Sequence, residues 1–287
     1  MEFLDAHRAL LSRLLPDDDP GGLAVREGQF YRVVLGTNRV VCLPRTEAAA
    51  DRLPARAAVL RTLAGLSLGF RTPEPLAQGV HQNPDDPRYL VLSRIPGAPL
   101  EPGALHSSAL ADAVAKQYAV LLAGLADAGS DEAVRATLPH APRDQWQQFA
   151  ADVRAKLFAL MSDTGRLRAE REVAALDGLP HRVEAVVHGD LGAENALWES
   201  ADGLPRLSGV VDWDEVALGD PAEDLAAIGA SYGDDLLARV LALGGRPNGD
   251  LARRITTIRG TFALQQALAA HRDGDEEELT DGLTGYR

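Results

Sequence analysis

The sequence predicts an α+β chain of two lobes, a small antiparallel-sheet lobe followed by a larger, mostly helical one. Three observations predict it. Between Gly22 and Leu43, three short segments rich in Val, Phe and Tyr are separated by turn residues. Beyond Ile95 the composition changes from strand formers to helix formers, with apolar residues recurring at helical spacing. At 287 residues the chain also exceeds the usual size of one domain, which favours two cores over one. The boundary is expected after Ile95, with a first lobe over 1–95 and a second over 96–287.

In chain order, Ala6 to Leu15 has helical spacing and is stopped by the Pro- and Asp-rich stretch Pro16 to Pro20. Gly22–Val25, Gln29–Leu35 and Arg39–Leu43 read as successive antiparallel strands, with Gly36-Thr37-Asn38 as a turn. Ala48 to Leu66 reads as a helix whose main segment starts near Pro54, because proline is tolerated in a first turn. Thr72 to Pro75 is extended. Tyr89–Leu92 is a short strand leading into Ser93-Arg94-Ile95-Pro96-Gly97, where proline and glycine stop both kinds of element. In Ser107–Ala128, residues Leu110, Val114, Tyr118, Leu121 and Leu125 share one helix face. Arg143–Met161 and Arg166–Leu176 are helical, parted by Ser162 to Gly165. Brief strands are expected at Val183–Val187, Ala196–Glu199 and Leu207–Val211. Pro221–Ser231, Leu236–Leu243 and Leu251–Ala269 complete the helical lobe, and the acidic run Asp273 to Glu278 reads as a solvated helix start.

Composition narrows the partners. A hydrophobic content of 46% and a charged content of 25% are ordinary for a soluble globular protein. Forty-two Asp+Glu against 29 Lys+Arg give a net charge of -13, which repels nucleic acid and anionic membrane and attracts cationic small molecules. Cys42 is the single cysteine, so no internal disulfide forms. The residues Met1 to Asp5 lack the basic and apolar segments of a signal peptide, and no apolar stretch approaches the roughly 20 residues that span a bilayer. A cytoplasmic enzyme or binding protein is expected.

The most explicit chemistry lies in Val186-Val187-His188-Gly189-Asp190-Leu191-Gly192-Ala193-Glu194-Asn195 and Val210-Val211-Asp212-Trp213-Asp214. Asp190 follows a buried strand and precedes an apolar residue, so it stands on a loop anchored at both ends. Asn195 and Asp212 offer a neutral and an anionic oxygen, both hard ligands suited to Mg²⁺. A carboxylate to orient a hydroxyl, with two oxygen ligands for the metal, is the equipment of phosphoryl transfer. His188 reads better as a brace for the loop than as a base. Asp220, Pro221 and Glu223 form a helix-capping arrangement, and Asp224 is expected to hold the loop. The sequence has no zinc-ligand spacing, nucleophile elbow or P-loop.

His188-Gly189-Asp190-Leu191 with Asn195, then Val211-Asp212-Trp213, then Gly219 to Ala226, resemble the antibiotic phosphotransferases, the aminoglycoside phosphotransferase group with a protein-kinase-like two-lobed fold. The segments "GQFYRVV", "TEAAADRLPARAAVLR", "VLSRIPGAPLE", "VVHGDLGAEN", "VVDWDEVALGDPAEDLAAIGASYG" and "RGTFALQQAL" are similar to the branch that modifies tuberactinomycin peptides such as capreomycin and viomycin. The resemblance implies that Asp190 orients the attacking hydroxyl and that Asn195 and Asp212 hold Mg²⁺ beneath the ATP phosphates. It also implies a hinge after Leu92, where the backbone of Ser93 and Ile95 meets adenine because it lacks a strand partner. Two positions depart from the family pattern. The usual third-strand Lys and following-helix Glu are here Cys42 and Arg56. A thiol does not neutralise phosphate, so the cation must come from elsewhere, with Arg56 and Arg45 as candidates.

The acceptor implied is a strongly basic cyclic peptide antibiotic with a primary hydroxyl on a serine residue. Asp214 and Glu215 lead the carboxylates expected to meet it, ahead of Asp234, Asp235 and the Asp273 to Glu278 run. Trp213 and Tyr232 either line that pocket or pack in the core. Two other readings stand beside this one: an aminoglycoside or macrolide O-phosphotransferase on the same fold, and a pseudo-enzyme that binds nucleotide or antibiotic without transfer.

Overall fold

The Gly36-Thr37-Asn38 turn and the apolar alternation around it set the register of the first sheet. The computed structural model describes residues 2–28, 30–79, 88–245 and 249–287. Two short helices, α1 (Glu2–Ala6) and α2 (Arg8–Leu14), precede β1 (Ala24–Glu27), β2 (Tyr31–Leu35) and β3 (Arg39–Pro44), and the helix expected from Ala6 is interrupted at His7. The expected strand start at Gln29 lies outside the described residues. Helix α3 (Glu47–Ala64) is capped by the Thr46 hydroxyl, which accepts from the Ala49 amide, and it runs straight through Pro54. The expectation that the main segment begins at the proline is therefore corrected: the Thr46 cap sets the start, and Pro54 forgoes one backbone hydrogen bond inside the helix.

Strands β4 (Pro75–Gly79) and β5 (Tyr89–Ser93) complete an antiparallel sheet in the order β1-β2-β3-β5-β4. Leu11, Leu14 and Leu15 pack on Val34, Val41, Leu43 and Val91 of that sheet. After β5 comes β6 (Ala98–Pro99). The helical part follows with α4 (Ser108–Ala128), α5 (Glu132–Thr137), α6 (Gln145–Lys156) and α7 (Asp163–Leu176), and then with strand β7 (Ala185–Val187). The expected break before α7 ends at Ser162, whose hydroxyl accepts from the Gly165 amide, so Asp163 to Gly165 belong to the helix and not to the break.

The chain continues as β8 (Ala196–Ala201), β9 (Leu204–Val210) and β10 (Ala217–Gly219), and as α8 (Ala222–Tyr232), α9 (Asp234–Leu243), α10 (Gly249–Arg259), α11 (Phe262–Asp273) and α12 (Glu276–Gly282). The stretch expected as one helix from Leu251 to Ala269 is two, parted at Gly260 and the buried Thr261. Asp275 caps α12, as expected of the acidic run.

The α+β class is found, with an antiparallel-sheet N-terminal part and a larger helical part. The chain divides into two compact units, Met1–Leu100 with Glu194–Asp214 and Glu101–Ala193 with Glu215–Arg287. This differs from a simple boundary after Ile95. Strand β6 pairs with β8, which pairs with β9, so the β8–β9 hairpin belongs to the first unit. In the second unit β7 pairs antiparallel with β10, and Val153, Leu157, Val173, Leu264, Leu283 and Tyr286 share one core.

Among the described residues one helix, α4, is long and apolar enough by length and composition to cross a membrane. That corrects the expectation that no stretch approaches this length. Its Val114, Ala115, Tyr118, Leu121 and Leu125 are buried, and it packs on α9 and β7.

Gly97 joins the two sheets of the first unit. Its φ is +105°, and a Cβ there would lie 2.6 Å from the Trp198 carbonyl oxygen on β8. A side chain would meet both backbone strain and a fixed carbonyl. Gly97→Ala is expected to lower the unfolding free energy by about 2–3 kcal/mol in urea titrations. Gly103→Ala meets nothing within 4 Å and should stay within about 0.5 kcal/mol of wild type.

Candidate active site

Three consecutive apolar residues, Ala185, Val186 and Val187, are buried on both faces of β7, and the chain leaves that strand at His188. There it is gripped by α8. Asp224, 1% exposed in the first turn of α8, accepts from the His188 amide at 2.9 Å and from the Gly189 amide at 3.1 Å. Burial pushes the Asp224 carboxyl up, while the His188 side chain and the two amides oppose the shift. At the far end of the loop the Ala193 amide donates to the Ser231 hydroxyl at 3.0 Å, so α8 holds the segment at both ends. Nothing in the sequence marks Ser231 for this role.

Gly189 has φ +88°, and a Cβ there would come within 2.8 Å of Cβ and of the carbonyl oxygen of Glu215. Only glycine permits the turn that presents Asp190. His188 is fully buried, and its Nδ1 accepts from the Asp190 amide at 3.2 Å. Nδ1 is thereby engaged as an acceptor. This is the bracing role, not that of a base. Leu191 is fully buried beside the exposed Asp190, so one side chain anchors while its neighbour faces solvent.

The start of α8 is itself built into a buried network. Asp220 accepts from the Ala222 amide at 3.0 Å, and Arg254 of α10, 4% exposed, reaches the same carboxylate with Nε at 2.7 Å and Nη2 at 3.2 Å. The Glu223 carboxylate accepts from Gln145 Nε2 at 3.3 Å, and its amide donates to the Asp220 carbonyl at 3.0 Å. The capping expected of Asp220 and Glu223 is corrected: Pro221 is the N-cap position and makes no side-chain cap bond, and of the helix amides Asp220 reaches only that of Ala222. Burial, with Asp224 and Asp220 nearby, pushes the Glu223 carboxyl up to about 7.

In the first unit the β8–β9 hairpin brings together two residues far apart in sequence. Ala196 pairs with Val210, and one step outward the Val211 amide donates to the Asn195 carbonyl at 2.9 Å. Asn195, 6% exposed, thus flanks the same hairpin end as Asp212. Asp212 has φ +63°, a left-handed conformation that few non-glycine residues adopt. Trp213 pins the next step: it is buried, stacks on Phe70 with a 6.4 Å centroid separation, and donates Nε1 to the Val210 carbonyl at 2.9 Å. It is a core residue and not a pocket wall. In the second unit, the Tyr232 ring lies 5.9 Å from that of Tyr118.

The cation candidates separate. Arg45 is spent at the end of the first hairpin, its amide donating to Phe30 and its Nη1 to the Gly28 carbonyl at 2.8 Å. Arg56 of α3 lies with Cζ 4.4 Å above the Tyr31 ring and Nε 2.6 Å from Asp214 Oδ1, and it bears electrostatically on the buried Cys42 thiol and on Asp212. Asp214, expected to meet the acceptor, is engaged by Arg56. Glu215 stands exposed in the second unit with its backbone against Gly189. Asp234 pairs with Arg259.

One hinge expectation is corrected. Ser93 has a strand partner, Arg39; its amide donates to the Glu74 carbonyl at 2.8 Å, and its hydroxyl accepts from the Glu74 amide at 2.8 Å. The Ile95 amide, past the strand end, has no hydrogen-bond partner among the described residues.

The chain as a whole is similar to known proteins. A family model described as "Phosphotransferase enzyme family" matches residues 24–256. The viomycin phosphotransferase of Streptomyces vinaceus is 69% identical over 287 residues, covering 100% of both chains. The GDP and kanamycin complex of APH(2")-IIia superposes with a TM-score of 0.81 at 20% identity, covering 97% of this chain and 96% of that one. A macrolide 2'-phosphotransferase of type I has a TM-score of 0.70 at 25% identity, covering 98% and 97%.

The Glu223 environment gives a stability test. A carboxyl raised from 4.5 to about 7 favours its protonated form in the folded chain. Its contribution is fully present below the unfolded value and is lost as pH rises through about 7. Glu223→Gln keeps an acceptor oxygen without the charge. It is expected to raise the unfolding free energy from urea titration at pH 8 by on the order of 1–3 kcal/mol, and to leave it nearly unchanged at pH 4.

Proposed function

The chain belongs to the phosphotransferase enzyme family, and from that premise we propose that it transfers the γ-phosphoryl group of ATP to a hydroxyl of a cationic tuberactinomycin peptide, viomycin or capreomycin. The observation that carries the substrate is the full-length likeness to a viomycin phosphotransferase. The net charge of -13 supports it, since an acidic protein steers a basic peptide toward itself.

In this reading Asp190 accepts a hydrogen bond from the acceptor hydroxyl, a side chain of a serine residue, and directs its oxygen at the γ-phosphorus. As the new O–P bond forms, the bond to the departing ADP oxygen breaks and the hydroxyl proton passes to the Asp190 carboxylate. Transfer of this kind is largely dissociative, so the carboxylate acts first by orientation. The grip of Asp224 and Ser231 on the loop supports that role, because an orienting group must not wander.

Asn195 and Asp212 would hold Mg²⁺. An amide oxygen and one carboxylate, drawn to one hairpin end, fit an ion that keeps several waters and takes few protein ligands. When bound, Mg²⁺ offsets negative charge on the phosphates. The Ile95 amide, with the carbonyl edge at Ser93, would meet adenine. Arg56 would face the phosphates, with Arg45 at the edge of the nucleotide site, and Glu215 would meet a cationic group of the acceptor. Nucleotide binding falls to residues 1–95, joined by the Glu194–Asp214 segment of the same unit, and acceptor binding to the rest of 96–287. Dependence on ATP fits a cytoplasmic reaction, and the acidic balance gives no footing for nucleic acid or anionic membrane.

Mass spectrometry after incubation with ATP, Mg²⁺ and viomycin is expected to find one added phosphoryl group on a serine hydroxyl, with kanamycin and erythromycin unmodified. Phosphorylated kanamycin or erythromycin with unmodified viomycin selects an aminoglycoside or macrolide acceptor instead. Absence of antibiotic-dependent ADP release points to a binding protein. Asp190→Asn should lower kcat at least about 100-fold while ADP affinity, measured by calorimetry, stays within about threefold; an active variant removes Asp190 from its role.

A further inference from the structure

Arg56 is a nearly buried cation whose donors are poorly matched to their surroundings. Its side chain is 14% exposed on the inner face of α3, and Nε and Nη1 are buried with no aligned hydrogen bond. The 2.6 Å approach of Nε to Asp214 Oδ1 is therefore an ionic contact whose N–H does not point along the line between the atoms. The remaining neighbours are soft: the Tyr31 ring face, and the thiol of Cys42, which is 2% exposed.

Tyr31 is in turn fixed to the same helix, its hydroxyl donating to the Ala49 carbonyl at 3.4 Å. A cation withdrawn from water costs several kcal/mol unless compensated, and an apolar side chain of similar volume is often as stable or more so. Buried donors without aligned partners in a well-packed place call for another explanation. The segment that supplies Asp214 is rigid, because Trp213 beside it is buried, stacked on Phe70 and bonded to Val210. Asp212, on the other side of Trp213, also acts electrostatically on Arg56.

We propose that Asp214 is a positioning residue that, with the Tyr31 ring and the small Cys42 side chain, fixes the Arg56 guanidinium as the cation recognising the triphosphate of the nucleotide. This rests on the nucleotide reading above and deepens it. Cys42 leaves room on the strand for a planar group arriving from the helix. Tyr31 sets the plane of that group, and Asp214 sets its angle about the side-chain axis. A planar guanidinium keeps its charge where burial would discharge an ammonium, so the site is built for arginine. Asp214 acts through Arg56 and has no part in recognising the acceptor.

Adenosine and ADP separate this role from a structural one, because adenosine has no phosphate. Calorimetric affinities for ADP, adenosine and viomycin are measured on the full-length chain in Mg²⁺ buffer for wild type, Arg56→Gln, Arg56→Lys, Asp214→Asn and the Arg56→Gln/Asp214→Asn pair. Arg56→Gln is expected to weaken ADP at least tenfold with adenosine unchanged. Asp214→Asn should weaken ADP three- to tenfold and leave viomycin unchanged. The double variant should be no weaker than Arg56→Gln alone, because Asp214 acts only through Arg56. Arg56→Lys, which keeps a cation and is the mildest change, should fall between wild type and Arg56→Gln.

An Asp214→Asn variant that loses viomycin affinity and keeps ADP affinity overturns the proposal in favour of acceptor binding. Equal losses for ADP and adenosine, or losses that add in the double variant, overturn it in favour of a structural pair. Should Arg56→Gln fail to fold, Arg56→Lys and Asp214→Asn carry the same comparison, and ADP affinities of both equal to wild type overturn it. Wild-type protein that binds neither ADP nor ATP overturns the nucleotide reading itself; wild-type binding with an unchanged ADP-to-adenosine ratio in the variants overturns only the role of Arg56 and Asp214.

Discussion

One buried carboxylate sets the shape of the catalytic segment. Asp224 accepts from two successive amides at the point where β7 ends, so the backbone is committed to a turn before Asp190 is reached. A carboxylate with almost no solvent exposure is expensive unless its oxygens are filled, and two main-chain donors fill them. The conformation this imposes is open only to glycine at position 189, and Glu215 closes the space that a side chain would need. The turn, the glycine and the helix are therefore one device. The helix is secured in its own right by the Arg254–Asp220 pair, which buries a charge on each side and satisfies it. Removing one member would leave the other uncompensated, which costs more than the pair itself contributes.

The first unit solves a different problem, that of sequence distance. Asn195 and Asp212 become neighbours because a β-hairpin folds the intervening chain back on itself, and the Val211–Asn195 hydrogen bond extends the pairing by one step. A two-stranded ribbon alone is marginal in water. This one is supported by β6 on its outer edge, and Gly97 lets the chain pass close to the Trp198 carbonyl. The strained backbone at Asp212 is sustained by that support and by the buried Trp213. Strain of this kind concentrates where a side chain must be aimed.

Much of this was legible in the sequence because it depends on local chemistry. Turn residues at Gly36 to Asn38 and the helix start in the acidic run, which Asp275 caps, are decided within a few positions of chain. The segment from Val186 to Asn195 was legible for the same reason, since an apolar strand, a glycine and an acid follow one another directly. What could not be read depends on partners that meet only in three dimensions. Ser231 holding Ala193, Arg254 reaching Asp220 and Tyr31 lying beneath Arg56 leave no local mark. Proline statistics misplaced the start of α3 because Pro54 tolerates the helix interior once Thr46 has fixed the first turn. The partner of the Ser93 amide leaves no local mark either, because the Glu74 carbonyl comes from the segment just before β4.

The electrostatics of the chain set two demands against each other. A net charge of -13 draws in a basic peptide but repels a polyphosphate. The two effects act over different distances. In physiological salt the Debye length is about 8 Å, so the surface carboxylates govern approach, whereas a nucleotide already in place responds to charges within a few ångströms. An acidic protein can therefore bind an anion if a cation stands at short range in a weakly screened setting, and Arg56 is the cation proposed for that place. Its burial against Tyr31 and Cys42 removes the water that would weaken it. Asp214 keeps that burial tolerable without cancelling the charge, since its own side chain is 23% exposed and partly screened by solvent. On the proposal above, the long-range field serves the acceptor and the short-range cation serves the donor, and neither has to be compromised for the other.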